Sequence, residues 1–404
     1  MFLTATTRLA ETVLRGRLLL GGSDRLRARM MMDALPGPAE VWVHAASVGE
    51  VNSASVLIRA LAERHSLLVT TNSETGLARA RSQGWPAMLA PLDLPGCTTR
   101  FLNALRPRLA ITVEAELWPT RARLLASRGI PHVIVGARMS ERSARRWSRL
   151  PGVIGPVLRQ VGALSAQDAD SEARLLALGL PRAALLPRLD LKLLAPAKIA
   201  PPPPSAARDR VLLAASTHPG EDEPILDAYL AARTAHPDLQ LILAPRHPER
   251  ADQMATLIAA RGLDFARRTD GAEDAPLLLA DTLGEMPLWY ARAGICLTGG
   301  SLMDHGGHTP WEPAAFGCAI LHGPNVSNFT ESYAALDRAG AARQVAAADL
   351  APALSGLLAD PTQLRRMGQS ARGLLDARAG DPVALLTRIG DLVQSAPNSD
   401  MMSE

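Results

Sequence analysis

Cysteine is scarce. Cys97, Cys296 and Cys318 are the only three in 404 residues, and no two form a C-x-x-C pair. This excludes a disulfide scaffold and a cysteine-rich zinc site, and it fits a reducing compartment. Aromatic residues make up 3% of the chain. That excludes aromatic platforms as the main means of holding nucleic-acid bases. Lysine is nearly absent: Lys192 and Lys198 stand alone among arginines. No run of about 20 apolar residues exists, the length needed to span a bilayer. The longest apolar run near the start is Leu18-Leu19-Leu20, and no signal-peptide h-region is read there.

What is present reads as globular. Hydrophobic residues make up 47% and charged residues 21%. The length exceeds one ordinary core, so two domains are expected. The net charge of +3 hides an asymmetry. Residues 1–195 hold 26 Lys and Arg against 15 Asp and Glu, and the remainder holds 17 against 25. The first half therefore suits an anionic partner and the second does not.

Short apolar runs alternate with helical stretches. Strands are expected at Val41–Ala46, Leu67–Thr71, Ala87–Ala90, Leu109–Val113 and His132–Val135, then at Val211–Ala215, Leu239–Ala244, Leu277–Ala280, Ile295–Thr298 and Ala319–Leu321. Segments such as Glu50–Arg64, Pro119–Arg128 and Ile225–Ala235 carry apolar residues at helical spacing. This alternation predicts parallel sheets covered on both faces. Residues 195–208, with four consecutive prolines, read as a semi-rigid linker. The expected organisation is an N-terminal domain over 1–195, a linker over 196–208 and a C-terminal domain over 209–404. Residues 382–393 read as a helix before a polar tail. Residues 8–20 read either as a basic amphipathic helix at a membrane surface or as a packing helix with its arginines in solvent. Ligands of doubly wound domains bind beyond the carboxyl ends of the strands, so a cleft between the halves is the expected site.

Four segments just after strands carry the chemistry. In His44-Ala-Ala-Ser-Val-Gly-Glu50, the carboxylate is either a general base in the cleft or a complement to a helix dipole. In Glu114-Ala-Glu-Leu-Trp-Pro119, two carboxylates two residues apart point the same way if the chain is extended. They are either a functional pair or one helix cap beside one solvated acid. In Pro245-Arg-His-Pro-Glu-Arg250, Arg246 is either a phosphate ligand or a solvated loop residue. The loop from Thr298 to Pro313, with Gly299, Gly300, Gly306 and Gly307, offers backbone N–H groups and a helix start to an anion. It is not a dinucleotide fingerprint. Asp304, His305 and His308 match no standard zinc spacing, and no metal is expected. The basic segment 138–149, with Trp147, reads as a lipid-surface contact or a solvated helix face. Nucleic acid is not expected, because no recognition motif accompanies it.

Seven of these segments occur together in one order: HAASVGEV, EAELWP, ARMSERS, STHPGEDE, PRHPER, GGS…GGHTPWEPAAFG and GPNVSNF. In this the chain closely resembles the 3-deoxy-D-manno-octulosonic acid (Kdo) transferases of Gram-negative bacteria, from about residue 40 to about 335. The resemblance implies an α/β GT-B fold, two Rossmann-like doubly wound domains facing a central cleft. It implies a lipid A precursor on the N-terminal domain, CMP-Kdo as donor on the C-terminal domain, and no cofactor. It places the protein peripherally on the cytoplasmic face of the inner membrane, with an anionic membrane surface as partner and residues 1–30 as a possible contact.

Carried over by position, Glu50 matches the family's proton acceptor and Glu114 a transition-state-stabilising acid. Lys192 matches a lysine that follows a glycine in the family, a glycine absent here. CMP contacts map onto Pro245 and Arg246, onto Leu283, Gly284 and Glu285, and onto Thr309, Pro310, Trp311 and Glu312. The family usually has asparagine at the position of Thr309, threonine-rich sequence at Ser73–Gly76, and often asparagine at Gly136. The implied reaction is inverting transfer of Kdo. Two alternatives stay open: another GT-B nucleotide-sugar transferase or sugar-nucleotide epimerase, and a non-catalytic lipid-binding paralogue.

Overall fold

A computed structural model describes residues 2–19, 21, 23–114 and 116–395. Ala115 of the E-A-E segment and the polar tail over 396–404 lie outside the described residues. The chain divides into two compact units, Met1–Ala195 with Ala379–Glu404, and Pro196–Arg378.

The first unit is built on seven strands: β1 (Val41–His44), β2 (Leu67–Thr71), β3 (Ala87–Leu89), β4 (Leu109–Val113), β5 (His132–Ala137), β6 (Val161–Ala166) and β7 (Leu185–Leu186). They lie in the order β3-β2-β1-β4-β5-β6-β7, and every pair is parallel. Strand alternation divides the core between two faces. Val41 and Val43 pack with Leu57, Ile58 and Leu61, while Trp42 packs with Phe101, Leu102 and Leu105 on the other side. Strands β6 and β7 were not anticipated, because β7 is only two residues long and β6 mixes glycine and serine with its apolar positions.

The second unit repeats the plan with β8 (Val211–Thr217), β9 (Gln240–Pro245), β10 (Ala266–Arg267), β11 (Leu277–Leu279), β12 (Ile295–Thr298), β13 (Ala319–His322) and β14 (Ala342–Gln344). Their order is β10-β11-β9-β8-β12-β13-β14, again parallel throughout. In both sheets the strand order reverses beside the first strand, between β1 and β4 and between β8 and β12. Such reversals open a crevice at the strand carboxyl ends.

Two expectations about organisation are corrected. The C-terminal domain does not run to residue 404. The helix Val383–Ser395 belongs to the first unit, where Leu385, Ile389 and Val393 are buried in the Val41–Val43 face of the core. Spacing of four residues gives these side chains one stripe, and only that unit covers it. Nor does the 196–208 segment stand outside the units as a semi-rigid linker: it belongs to the second unit. It opens inside the helix Leu191–Ala197 and closes with a helix over Ala206–Asp209. Between them Arg372 clasps it, donating to the carbonyl of Ala197 at 2.6 Å and to that of Ala315 at 3.0 Å. Arg208 adds bonds to the carbonyls of Ala293 (2.6 Å) and Phe316 (2.9 Å).

One glycine fixes the second crevice. A Cβ on Gly299 would lie 2.3 Å from the carbonyl oxygen of Ser216 and 2.7 Å from that of Ala215. Both obstacles are backbone of the neighbouring strand, so neither can swing aside. Gly299→Ala is expected to destabilise the fold by about 3 kcal/mol, the upper range for overpacking. A lowered urea midpoint at unchanged slope would report it.

The N-terminal helix Phe2–Leu19 docks on the first unit by one face. Glu11 is buried and accepts the backbone N–H of Gly96 at 2.7 Å, with Arg15 as its ion-pair partner at 3.2 Å. Leu14 and Leu18 pack with Met30, Leu94 and Cys97. Leu9 and Val13 stay 67% and 57% exposed. Among the described residues no helix is long and apolar enough to cross a membrane.

Candidate active site

In the first unit, the turn after β1 places Glu50. Ser47 caps the helix Val48–Ser53, its hydroxyl oxygen accepting the Glu50 N–H at 3.3 Å. The Glu50 carboxylate folds back, accepting the Ala46 N–H at 2.8 Å and the Ser47 hydroxyl at 3.2 Å. This is a variant of the reciprocal Ser-x-x-Glu capping arrangement. The cap does not stabilise the anion fully. Burial, and then the charges of Glu114 and Glu116, raise the Glu50 carboxyl from 4.5 to about 7, against the bonds from Ala46 and Ser47. A carboxyl poised near neutrality is suited to take a proton from a hydroxyl.

The two acids after β4 do not point the same way, which corrects the extended reading. Glu114 has φ +57°, in the left-handed region that non-glycine residues rarely adopt. Glu114 is therefore not extended, and the two carboxylates find different partners. Glu114 pairs with Lys192, 3.5 Å away. Glu116 turns instead to Trp118 Nε1 (2.7 Å), Asn72 Nδ2 (3.0 Å) and His44 Nε2 (2.9 Å). Burial opposes its ionisation, but the bonds from His44 and Trp118 and the charge of Arg121 prevail and hold it at about 2.

A chain of bonds fixes the His44 ring. The Trp42 indole donates to Thr70 Oγ1 at 2.8 Å, and Thr70 Oγ1 lies 3.0 Å from His44 Nδ1. Burial and then the Arg121 charge lower His44 to about 4, so the ring is neutral at pH 7. With Glu116 ionised, Nε2 carries the proton and Nδ1 accepts from Thr70.

Lys192 reaches Glu114 because of a second glycine. Gly136, at φ +61°, lets the Leu191 side chain approach to where its Cβ would be, 2.7 Å from Leu191 Cδ1. The helix Leu191–Ala197 thereby closes onto the end of β5. Glycine in place of asparagine is thus a packing requirement here. The altered Ser73–Gly76 turn is an ordinary cap: Ser73 Oγ accepts the Gly76 N–H at 3.1 Å.

In the second unit, Pro245 ends β9 and Arg246 follows it, Leu283–Glu285 follow β11, and Thr309–Glu312 follow β12. All stand at or beyond strand carboxyl ends. Arg246 is exposed, and its guanidinium has no hydrogen-bond or ion-pair partner among the described residues. Leu283 is 77% exposed beside Gly284 at φ +86°. Glu285 is gripped by Arg268 at 2.8 and 3.0 Å, and that pairing, with the Thr282 hydroxyl, holds it at about 2. Glu312 is exposed and accepts the Tyr290 hydroxyl at 3.1 Å.

Most backbone donors of the glycine-rich loop are taken within the unit. Glu221 is fully buried and occupies several of them. Its carboxylate accepts the N–H groups of Gly300 (2.7 Å), Ser301 (3.0 Å), Leu302 (2.9 Å) and His218 (2.9 Å). Gly307 N–H is bonded to the carbonyl of Gly300 (2.8 Å) and His308 N–H to that of Gly299 (3.1 Å). Thr309 Oγ1 accepts the Trp311 N–H at 3.3 Å, just ahead of Pro310 at the start of the short helix Trp311–Ala315. What the loop leaves for a ligand is Arg246 and a stack of imidazoles. His218 stacks on His305 (centroids 4.2 Å) and on His308 (5.1 Å), and meets His308 Nε2 to Nε2 at 2.9 Å. Among the described residues, no group of three His, Cys, Asp or Glu is arranged to hold a metal ion.

Sequence reasoning placed Glu50, Glu114 and Lys192, which the first unit gathers round the β1/β4 reversal. It read Glu116 as one of a carboxylate pair and passed over His44, Asn72 and Glu221. His44 and Glu221 stood inside quoted motifs, and a buried polar residue beside a strand end was the available signal. In the basic segment, Trp147 is half-buried against the Ile154–Leu158 cluster of its own unit, while the surrounding arginines face solvent.

Comparison with known proteins adds three findings. A model of the family described as 3-deoxy-D-manno-octulosonic-acid transferase (kdotransferase) matches residues 24–195. The 3-deoxy-D-manno-octulosonic acid transferase of Haemophilus influenzae is 35% identical over 379 residues, 89% of this chain and 87% of that protein. The corresponding transferase of Bordetella pertussis is 35% identical over 368 residues, 85% of each. Among solved structures, the UDP-GlcNAc 2-epimerase of Neisseria meningitidis bound to UDP-GlcNAc aligns with a TM-score of 0.55 at 13% identity, over 87% of this chain and all of that one. It shares the α/β fold.

Proposed function

The chain belongs to the 3-deoxy-D-manno-octulosonic acid (Kdo) transferases, and from that premise we propose that it moves Kdo from CMP-Kdo to a hydroxyl of a lipid A precursor in lipopolysaccharide synthesis. The observation that carries the mechanism is the Glu50 carboxyl, held near neutrality at the β1/β4 reversal. Glu50 takes the acceptor hydroxyl proton as that oxygen bonds to the anomeric carbon of Kdo. The bond from that carbon to the CMP phosphate oxygen breaks, and CMP leaves with the electron pair. Direct displacement inverts the anomeric centre. Charge developing on the leaving phosphate is met by Arg246, a planar donor with no competing partner in its own unit. Glu312 is placed to accept from a ribose hydroxyl, and the exposed Leu283 to lie against the cytosine. The Glu114–Lys192 pair adds fixed charge beside Glu50. No step in this scheme calls for a metal or cofactor.

The same reading includes a peripheral seat on the cytoplasmic face of the inner membrane. It is supported by the exposed Leu9 and Val13 beside Arg8, Arg15 and Arg17 on the N-terminal helix. Leu9→Glu with Val13→Glu is expected to abolish sedimentation with vesicles containing anionic lipid and to leave the folded spectrum intact.

The reaction is tested by incubating the protein with CMP-Kdo and a tetraacylated lipid A precursor and weighing the lipid. A gain of one or more Kdo units, absent with Glu50→Ala, is the expected result. Turnover of UDP-GlcNAc in place of CMP-Kdo would overturn the reading in favour of an epimerase. CMP-Kdo binding with no mass gain would point to a non-catalytic relative.

A further inference from the structure

The surroundings of Glu116 hold more positive charge than Kdo transfer by Glu50 uses. Arg121, in the first turn of the helix Pro119–Ser127, is 4% exposed. Its guanidinium stands over the Trp42 ring, 4.8 Å from the centroid, and 5.9 Å from that of Trp118. Nη1 is buried with no hydrogen-bond partner. The nearby acids do not close on it. Asp93 gives both oxygens to the backbone N–H groups of Thr120 (2.9 Å) and Arg121 (2.7 Å). Glu116 receives all three of its bonds on Oε2, from His44, Asn72 and Trp118. Asp93 and Glu116 thus balance the Arg121 charge without pairing its Nη1, and a buried donor left unpaired is costly unless a ligand satisfies it.

Two further arginines converge on the same place. Arg29 donates to Asn72 Oδ1 at 2.9 Å and to the Ala90 carbonyl at 3.1 Å. Arg25, exposed, donates to the Asn72 carbonyl at 2.9 Å. Asn72 then links both to Glu116. These groups sense one another: burial and then Arg25 lower Arg29 against the charge of Glu116, while burial lowers Arg121 to about 10 against Asp93 and Glu116, with Arg29 acting in the same direction as burial.

We infer that Arg25 and Arg29, held by Asn72, and Arg121, over Trp42 and Trp118, form an oxyanion subsite that receives a phosphate or carboxylate of the substrate bound beside Glu116. Guanidinium forks match either group. Under the Kdo-transfer reading, on which only the choice of source rests, the group is a phosphate of the lipid acceptor or the carboxylate of the sugar acid.

The first test needs no turnover. Inorganic phosphate is titrated against tryptophan fluorescence, since Trp42 and Trp118 flank Arg121, in an Arg246→Ala background that silences the donor unit. A saturable change is expected. Arg29→Ala and Arg121→Met are each expected to weaken it at least tenfold, and Arg29→Lys to weaken it less. No response in the parent, or equal affinity in the variants, overturns the subsite. The second test is steady-state kinetics in the otherwise native chain. A tenfold or greater rise in acceptor KM for Arg29→Ala that disappears with a dephosphorylated acceptor identifies the acceptor phosphate. A rise confined to the KM of CMP-Kdo identifies the sugar carboxylate. Unchanged KM for both overturns the proposal. A parent that binds phosphate as described but transfers no Kdo would sink the transferase reading and leave the subsite standing.

Discussion

Glu50→Gln is expected to lower kcat by 10²–10⁴, the range for loss of a positioned general base. Glutamine keeps the shape and one acceptor oxygen, so the caps to Ala46 and Ser47 survive in part. The kcat/KM profile of the native enzyme should rise through an acid limb near pH 7, because the anion is the active form and its carboxyl titrates at about 7. An ordinary glutamate would place that limb near 4.5, and Glu116, held at about 2, cannot produce it. Stability provides an independent sign. The fold raises the Glu50 pKa, so it penalises the anion. That penalty is absent below pH 4.5, grows between 4.5 and 7, and is constant above 7. Replacing Glu50 by glutamine removes it, so the variant should gain Tm relative to the parent as pH rises through this window. A residue serving only as a cap would lose Tm instead. Near-normal turnover in Glu50→Gln, or a limb that stays at 7 in the variant, would remove Glu50 from the base role.

Glu221→Ala should be the most damaging single change to stability. The buried carboxylate is sole partner to the N–H groups of Gly300, Ser301 and Leu302 and also binds that of His218. Each buried donor left unpaired costs about 1–3 kcal/mol, though a water entering the vacated space would recover part. A loss of about 4 kcal/mol is therefore expected, enough to threaten a fold of ordinary stability. The loop that Glu221 ties down carries His305, His308 and Thr309, so donor binding should fall with it. Calorimetry on the variant with and without CMP separates the effects. An unaltered unfolding temperature would mean the loop donors find other partners, and that they are available to a phosphate after all.

Much of this was legible along the chain. Leu67–Thr71, Leu109–Val113 and Ile295–Thr298 were bounded correctly, since a buried parallel strand is a short continuous apolar run between turn residues. Edge strands such as β7 and β10, two residues each, were not, because so short a segment has no period. Glu50 and Glu114 were singled out because each follows a strand whose end the sequence announces, and Lys192 through the family resemblance. Their neighbours His44, Asn72 and Arg121 come from a strand, a loop and a helix, and nothing in linear order brings them together.

The sequence by itself determined the two-unit parallel α/β architecture, the family and the candidate acids Glu50 and Glu114, because periodicity and ordered motifs are local properties of a chain. Only the tertiary structure decided what each charge meets. It gave Glu114 and Glu116 different partners, set Glu221 against the glycine-rich loop, sent the helix Val383–Ser395 back to the first unit, and buried Arg121 over Trp42 with Nη1 unpaired. Burial and hydrogen-bond pairing depend on residues distant in sequence, and it is these that set the pKa of Glu50 and the surroundings of Arg121.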